Sequence, residues 1–122
     1  MSQPAEVIDR QIAAYNARNS ADFAATYAQD AHVFLMPNLK LAVRGRSALE
    51  AHYSKNVFVK EGLRAEVVSR MTLGNKVVDH EVTHGLSPLP MESLVVYEVA
   101  DGLIQAVWFY WPNARFQPPS EA

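Results

Sequence analysis

Apolar residues along this chain follow two different periods. Val7, Ile8, Ile12 and Tyr15 recur at three- and four-residue intervals, the spacing of one helix face, and Pro4 suits a first turn. This predicts an amphipathic helix up to about Arg18. Asn19-Ser20 interrupts it, and Ser20 is placed to cap a short second helix carrying Phe23 and Tyr27. Ala31 to Met36 reads as a strand stopped by Pro37-Asn38, and Leu39 to Val43 as a weaker one. Ser47-Ala48-Leu49-Glu50 has the spacing of a capping box, which would start a third helix with Leu49 and Tyr53 on one face, ending before Gly62.

From Leu63 onward the period falls to two. Leu63 to Leu73, Lys76 to His84, Met91 to Ala100 and Leu103 to Trp111 read as four strands. Gly74-Asn75 and Asp101-Gly102 are hairpin signals, because these residues tolerate the positive φ of tight turns. Gly85 to Pro90 is a looser connection, and Pro118 to Ala122 reads as a frayed tail. The chain is expected to be one domain over residues 1–122, with its core at about 5–112 and a tail at 113–122. Helices followed by a long meander give an α+β layout, and strands of about ten residues curl rather than lie flat. A sheet curled around helices encloses a conical hollow, a shape suited to a ligand.

Composition narrows the function. The chain has 122 residues, 49% of them hydrophobic, enough for one core or a core holding a pocket. The net charge is −2 and the basic residues are scattered, which argues against nucleic acid. There is no cysteine, excluding disulfides, thiolate catalysis and cysteine-based zinc sites. The first six residues lack the basic start and apolar run of a secretory signal, and no apolar run is long enough for a membrane span. The expectation is a cytoplasmic protein with no membrane contact.

The segments Ala14-Tyr15-Asn16-Ala17-Arg18, Tyr27-Ala28-Gln29-Asp30-Ala31, Gly45-Arg46-Ser47-Ala48-Leu49, Val77-Val78-Asp79-His80-Glu81 and Val96-Tyr97-Glu98-Val99 occur in this order. They lead through Asp101-Gly102-Leu103-Ile104 to Val107-Trp108. In order and spacing the chain resembles the nuclear transport factor 2-like superfamily, in its SnoaL-like and ketosteroid isomerase-like branch, from about Val7 to Trp111. The resemblance implies a cone-shaped barrel of cystatin-like kind: a curved antiparallel sheet wrapped around three N-terminal helices. It also implies a pocket for a small apolar molecule, a homodimer through the outer sheet face, and chemistry without a cofactor. In the isomerases a carboxylate base moves a proton beside a carbonyl, while a tyrosine and a protonated acid hold the enolate oxygen. By this resemblance the oxyanion tyrosine falls on Tyr15, and supporting tyrosines on Tyr27 and Tyr53. The base falls on Leu35 or Met36 and the acid near Val95, none of which can take a proton.

The residues themselves suggest a substitute. Alternation groups Val78, His80, Val82 and His84, and the valines mark that face as buried, so His80 is expected to point into the cone as general acid or base. The bland reading is a neutral histidine satisfied by a tyrosine or water. Tyr15 is equally open, as a donor to a ligand oxygen or as a core tyrosine bonded to another. Asp79 and Glu81 are then outward, paired with Arg64 or Arg70. His80 and His84 lie about 13 Å apart along an extended strand, too far to share a metal. Val107, Phe109 and Trp111 share one face of the last strand and, by the resemblance, line the pocket with Met36, Val82 and Val95; Met91 could add to that lining. Trp108 and Tyr110 take the outer face, the expected dimer surface. Three functions follow: a cofactor-independent isomerase, cyclase or dehydratase using Tyr15 and His80, a non-catalytic hydrophobic-ligand binder, or a protein-interaction domain.

Overall fold

The computed structural model describes residues 3–116, so the tail expected at Pro118 to Ala122 lies outside the described residues. Three helices, α1 (Pro4–Asn16), α2 (Ser20–Ala25) and α3 (Arg46–Asn56), combine with six strands. The strands are β1 (Tyr27–Leu35), β2 (Lys40–Arg44), β3 (Arg64–Leu73), β4 (Lys76–His84), β5 (Met91–Ala100) and β6 (Leu103–Tyr110). They form one curved, open sheet in the order β2-β1-β6-β5-β4-β3, with the helices against its concave face. This is the α+β cone expected from the sequence, with one difference: β1 runs parallel to β6, so the sheet is mixed. β2, α3 and the strands β3 to β5 lie between β1 and β6 along the chain, so this pairing closes the longest connection in the sheet. No described helix is long and apolar enough to cross a membrane.

Several local expectations shift by one device. The N-cap of α2 is Asn19, whose side chain accepts from the Asp22 N–H, and Ser20 is already helical. Tyr27 opens β1 rather than riding on the helix. The capping box at Ser47 does not form. Gly45 caps α3 at φ 93°, a conformation glycine adopts freely, and no side-chain bond closes the first turn. Arg46 instead donates from Nε and Nη2 to the Tyr27 carbonyl at 2.8 and 2.6 Å, fastening α3 to the start of β1. The Asp101-Gly102 turn has positive φ at both residues, as a two-residue hairpin requires.

The core lies between α1, α2 and the concave sheet. Val7, Ile8, Phe23, Leu49, Val77, Val95, Ile104 and Val107 are all essentially inaccessible to solvent. Each such side chain contributes roughly 1.5–3 kcal/mol on burial. Asn16 pins the end of α1 to β3, donating to the Ala65 carbonyl and accepting from the Ala65 N–H at 3.0 and 2.7 Å.

Candidate functional site

The decisive placement is on β4. Its inward face carries Val77, Asp79 and Glu81, paired in register with Tyr97, Val95 and Ser93 of β5. Val78, His80 and Val82 face outward, the reverse of the sequence expectation. His80 keeps 38% of its side chain exposed and shares a 2.7 Å hydrogen bond with Glu92. The valines misled because β4 is apolar on both sides: Val78 packs opposite Val96 on an outer face that also holds Leu94 and Trp108. His80 is therefore not a group of the cone, and neither is Val82.

Glu81 takes the place intended for the histidine. It is only 6% exposed, and its Oε2 accepts a 2.7 Å bond from the Tyr97 hydroxyl. Burial pushes its pKa up to about 7, and the neighbouring Asp79 adds to the rise; the Tyr97 bond and Arg70 pull the other way. Asp79 is fully buried and is met by Arg70 of β3, Nε to Oδ1 at 2.7 Å and Nη2 to Oδ2 at 2.9 Å. Arg70 also reaches Asp9 of α1 at 2.6 Å. Arg70 thus pairs with Asp79 as expected, whereas Glu81 is bonded to Tyr97 rather than to an arginine, Arg64 pairs with Glu66, and neither carboxylate faces outward.

Between helices and sheet lies a cavity of about 350 Å³. Its walls are apolar and aromatic, with Ile12, Phe23, Val33, Leu86, Phe109 and Trp111 prominent. Its polar groups include Gln11, Tyr15, Tyr53, Glu81, Thr83, Ser93 and Tyr97; His52 and Glu92 are among the more exposed lining residues, and the Glu92 carboxylate is turned to the outward-facing His80. Leu86 reaches the cavity because Gly85, at φ 94°, lets the chain fold back on Leu63. A Cβ there would stand 2.7 Å from the Leu63 nitrogen.

Tyr15 and Tyr53 hold fixed rings. They meet edge to face at 6.3 Å between centroids, and both pack on Phe58, at 5.4 and 5.7 Å. Neither hydroxyl is hydrogen-bonded to another described residue. Burial raises the pKa of both, Tyr53 to about 12, so both remain O–H donors through the neutral range. Gln11 donates to the Tyr27 hydroxyl at 3.0 Å, and its Oε1 is buried with no partner.

Of the expected site residues, Tyr15, Tyr53, Phe109 and Trp111 line the cavity, as does Met91. Tyr27 and Val95 are buried in the core beside it, and Met36, at the end of β1, is outside the lining. Sequence reasoning missed Gln11 and assigned Glu81 to the wrong face. Among the described residues no three His, Asp or Glu side chains are grouped so as to hold a metal ion.

A family model for the SnoaL-like domain matches residues 8–107. No curated protein matches the chain. Among solved structures, a candidate ketosteroid isomerase from Kribbella flavida DSM 17836 superposes with a TM-score of 0.78 at 21% identity, covering 96% of this chain and 83% of that one. An NTF-2 like protein of unknown function from Burkholderia xenovorans LB400 gives 0.76 at 18% identity, over 94% and 87% of the two chains. A computationally designed 17-OHP binder gives 0.78 at 16%, over 92% and 95%. At these identities the likeness is one of fold.

Proposed function

We propose, for a chain that belongs to the SnoaL-like domain family of the NTF2-like fold, that the cone binds a small apolar carbonyl compound and moves a proton on it without a cofactor. The observation that carries this reading is a buried carboxyl with a pKa raised to about 7 sharing one cavity with two tyrosine hydroxyls that have no hydrogen-bond partner among the described residues. Glu81 is the base. It takes a proton from the carbon beside the carbonyl, the C–H electron pair moves to the carbonyl oxygen, and Tyr15 or Tyr53 donates a hydrogen bond to the enolate. A carboxyl with a pKa close to the working pH is both ionised often enough to accept the proton and basic enough to hold it. Returning the proton to another carbon is isomerisation, and expulsion of a β-hydroxyl from the enolate, which takes the proton held by Glu81 and leaves as water, is dehydration.

The roles given to His80 from sequence pass to Glu81. Tyr97 is a positioning residue, holding one oxygen of Glu81. The mostly apolar wall favours a second reading, retention of a hydrophobic molecule without chemistry. We assign the outer face around Trp108 and Tyr110 to a homodimer contact.

Hydrogen-to-deuterium exchange at the α-carbon of 2-tetralone in heavy water, followed by NMR, separates the readings. Exchange about 100-fold above buffer, lost in Glu81→Gln, is expected. Binding without exchange would leave the ligand-retention reading, and no binding would remove both.

A further inference from the structure

One end of the sheet gathers four connections and the segment after β6 around the opening of the cavity. Register puts the ends of β1, β4 and β6 level with the starts of β2, β3 and β5: Leu35 pairs with Lys40 and Phe109, Leu94 with Tyr110, Thr83 with Met91, and Arg64 with His84. The β1–β2, α3–β3 and β4–β5 connections and the segment from Trp111 therefore leave from this end. The clasp of Asn16 on Ala65 brings the α1–α2 turn to it as well. Met91 and Trp111 line the cavity and are also exposed, so the cavity reaches solvent here.

Two kinds of side chain crowd this end. Leu39, Val59, Leu89, Met91, Trp111 and Phe116 are between 37% and 76% exposed, whereas Leu73 is the one exposed large apolar residue described at the turns of the opposite end. Arg18, Lys40, Lys60, Arg64 and Arg115 stand there against a single carboxylate in the same segments, Glu61, on a chain whose net charge is −2. Arg18, Lys40, Lys60 and Arg115 make no ion pair among the described residues. The nearest further carboxylates, Glu66 and Glu92, are engaged by Arg64 and His84 and by His80.

We propose that this end of the cone docks on an anionic lipid surface, with the apolar side chains set into the interface and the cations over the headgroup phosphates. A tryptophan and other apolar groups interleaved with Lys and Arg is the composition of an interfacial anchor. Each basic residue brought to an anionic bilayer contributes about 1 kcal/mol, screened by salt. The apolar groups come from separate loops spread round an opening, which suits a fluid surface better than a single segment of a partner protein. This departs from the expectation of no membrane contact. That expectation rested on the lack of a spanning run, which bears on crossing a bilayer and not on touching one. The residues involved are far apart in sequence and meet only in the fold. Docking turns the cavity opening to the lipid, so that an apolar ligand enters without passing through water. That consequence rests on the proposed ligand site, whereas the docking rests on the rim alone.

Co-sedimentation of the whole protein with phosphatidylcholine vesicles, and with vesicles holding about 30 mol% phosphatidylglycerol, tests the docking. At about 50 mM salt, binding to the anionic vesicles is expected to exceed that to neutral ones at least tenfold, and to fall at least fivefold at about 500 mM salt. Leu89→Ser with Phe116→Ser, and separately Lys60→Gln with Arg115→Gln, are each expected to weaken it about fivefold or more. All four residues are outside the cavity lining, so their binding of 2-naphthol without vesicles should be unchanged. In Trp108→Phe, Trp111 is the sole tryptophan, and its emission should shift to the blue on anionic vesicles and be quenched by brominated lipid. Equal binding to both vesicle types, or binding that survives both double variants, would overturn the proposal. So would no vesicle binding at all, which would leave this end to a protein of acidic surface. A wild type that binds anionic vesicles but not 2-naphthol would remove the ligand site and leave the docking standing.

Discussion

Arg70 and Asp79 face each other across the β3–β4 hairpin and form a two-point ion pair beneath the cavity, with both oxygens of a fully buried carboxylate engaged. The pair lets a strand turn two acidic residues inward. With Asp79 matched by the guanidinium, Glu81 is the carboxyl that carries the cost of burial, and its proton affinity rises. The third bond, to Asp9, couples α1 to the same point. Breaking a buried pair from one side leaves an uncompensated charge, whereas replacing both partners by apolar groups does not. Arg70→Met is therefore expected to cost about 3–5 kcal/mol in urea unfolding. Arg70→Met with Asp79→Leu should recover most of that loss, and a double variant as unstable as the single would contradict the pairing.

Glu81 makes the fold less stable as the pH rises. Its folded pKa lies near 7 against an ordinary 4.5, so the folded state holds a proton that the unfolded chain has already released between those values. Stability from this group is full below about pH 4.5 and falls until about pH 7, then levels, a loss on the order of 3 kcal/mol. Glu81→Gln carries no such charge. Urea midpoints measured from pH 4.5 to 8.5 should show the variant gaining on the wild type across that window and running parallel above it. A constant difference between the two would mean that Glu81 titrates normally.

Much of the fold was legible because its signals are local. Two-residue turns at Gly74-Asn75 and Asp101-Gly102 fix the hairpins, and the helical spacing of Val7, Ile8 and Ile12 fixes α1. The face of β4 was not legible, since valines at 77, 78 and 82 lie on both sides of a sheet with an apolar outer surface. One clue was present: counting back from the Gly74-Asn75 turn puts Arg70 opposite Asp79, a complementary pair. It identifies partners without saying which way they point. Gln11 gave no signal, because a glutamine on a helix face is ordinarily solvated, and only Tyr27 arriving from β1 explains its burial.

The outer sheet face carries Leu94 and Tyr110 opposite each other in register, with Trp108 stacked on Phe34 at 6.0 Å. Met71 and Leu73 of β3 extend the patch and are 63% and 76% exposed. Contiguous apolar surface of this kind favours association. Sedimentation equilibrium should show a dimer whose dissociation constant rises at least tenfold in Leu94→Glu. A monomeric wild type at tens of micromolar would show that this face has another role.

The tyrosines of the cone divide by what their hydroxyls touch, and phenylalanine substitutions should separate them. The Tyr15 hydroxyl has no hydrogen-bond partner among the described residues, so Tyr15→Phe leaves none of them unpaired. Its stability should stay within about 0.5 kcal/mol of the wild type. Its effect should instead appear in ligand binding, with affinity for 2-naphthol, a planar mimic of an enol, falling about tenfold, as loss of one hydrogen bond to a polarised oxygen implies. Tyr97 donates to Glu81 and favours the ionised form. Tyr97→Phe should therefore cost about 1.5–3 kcal/mol at pH 8.5, where the carboxylate needs the donor, and distinctly less at pH 5, where the carboxyl is protonated. A pH-independent cost in Tyr97→Phe would place its value in packing alone, and a destabilised Tyr15→Phe with unchanged naphthol affinity would make Tyr15 a core residue.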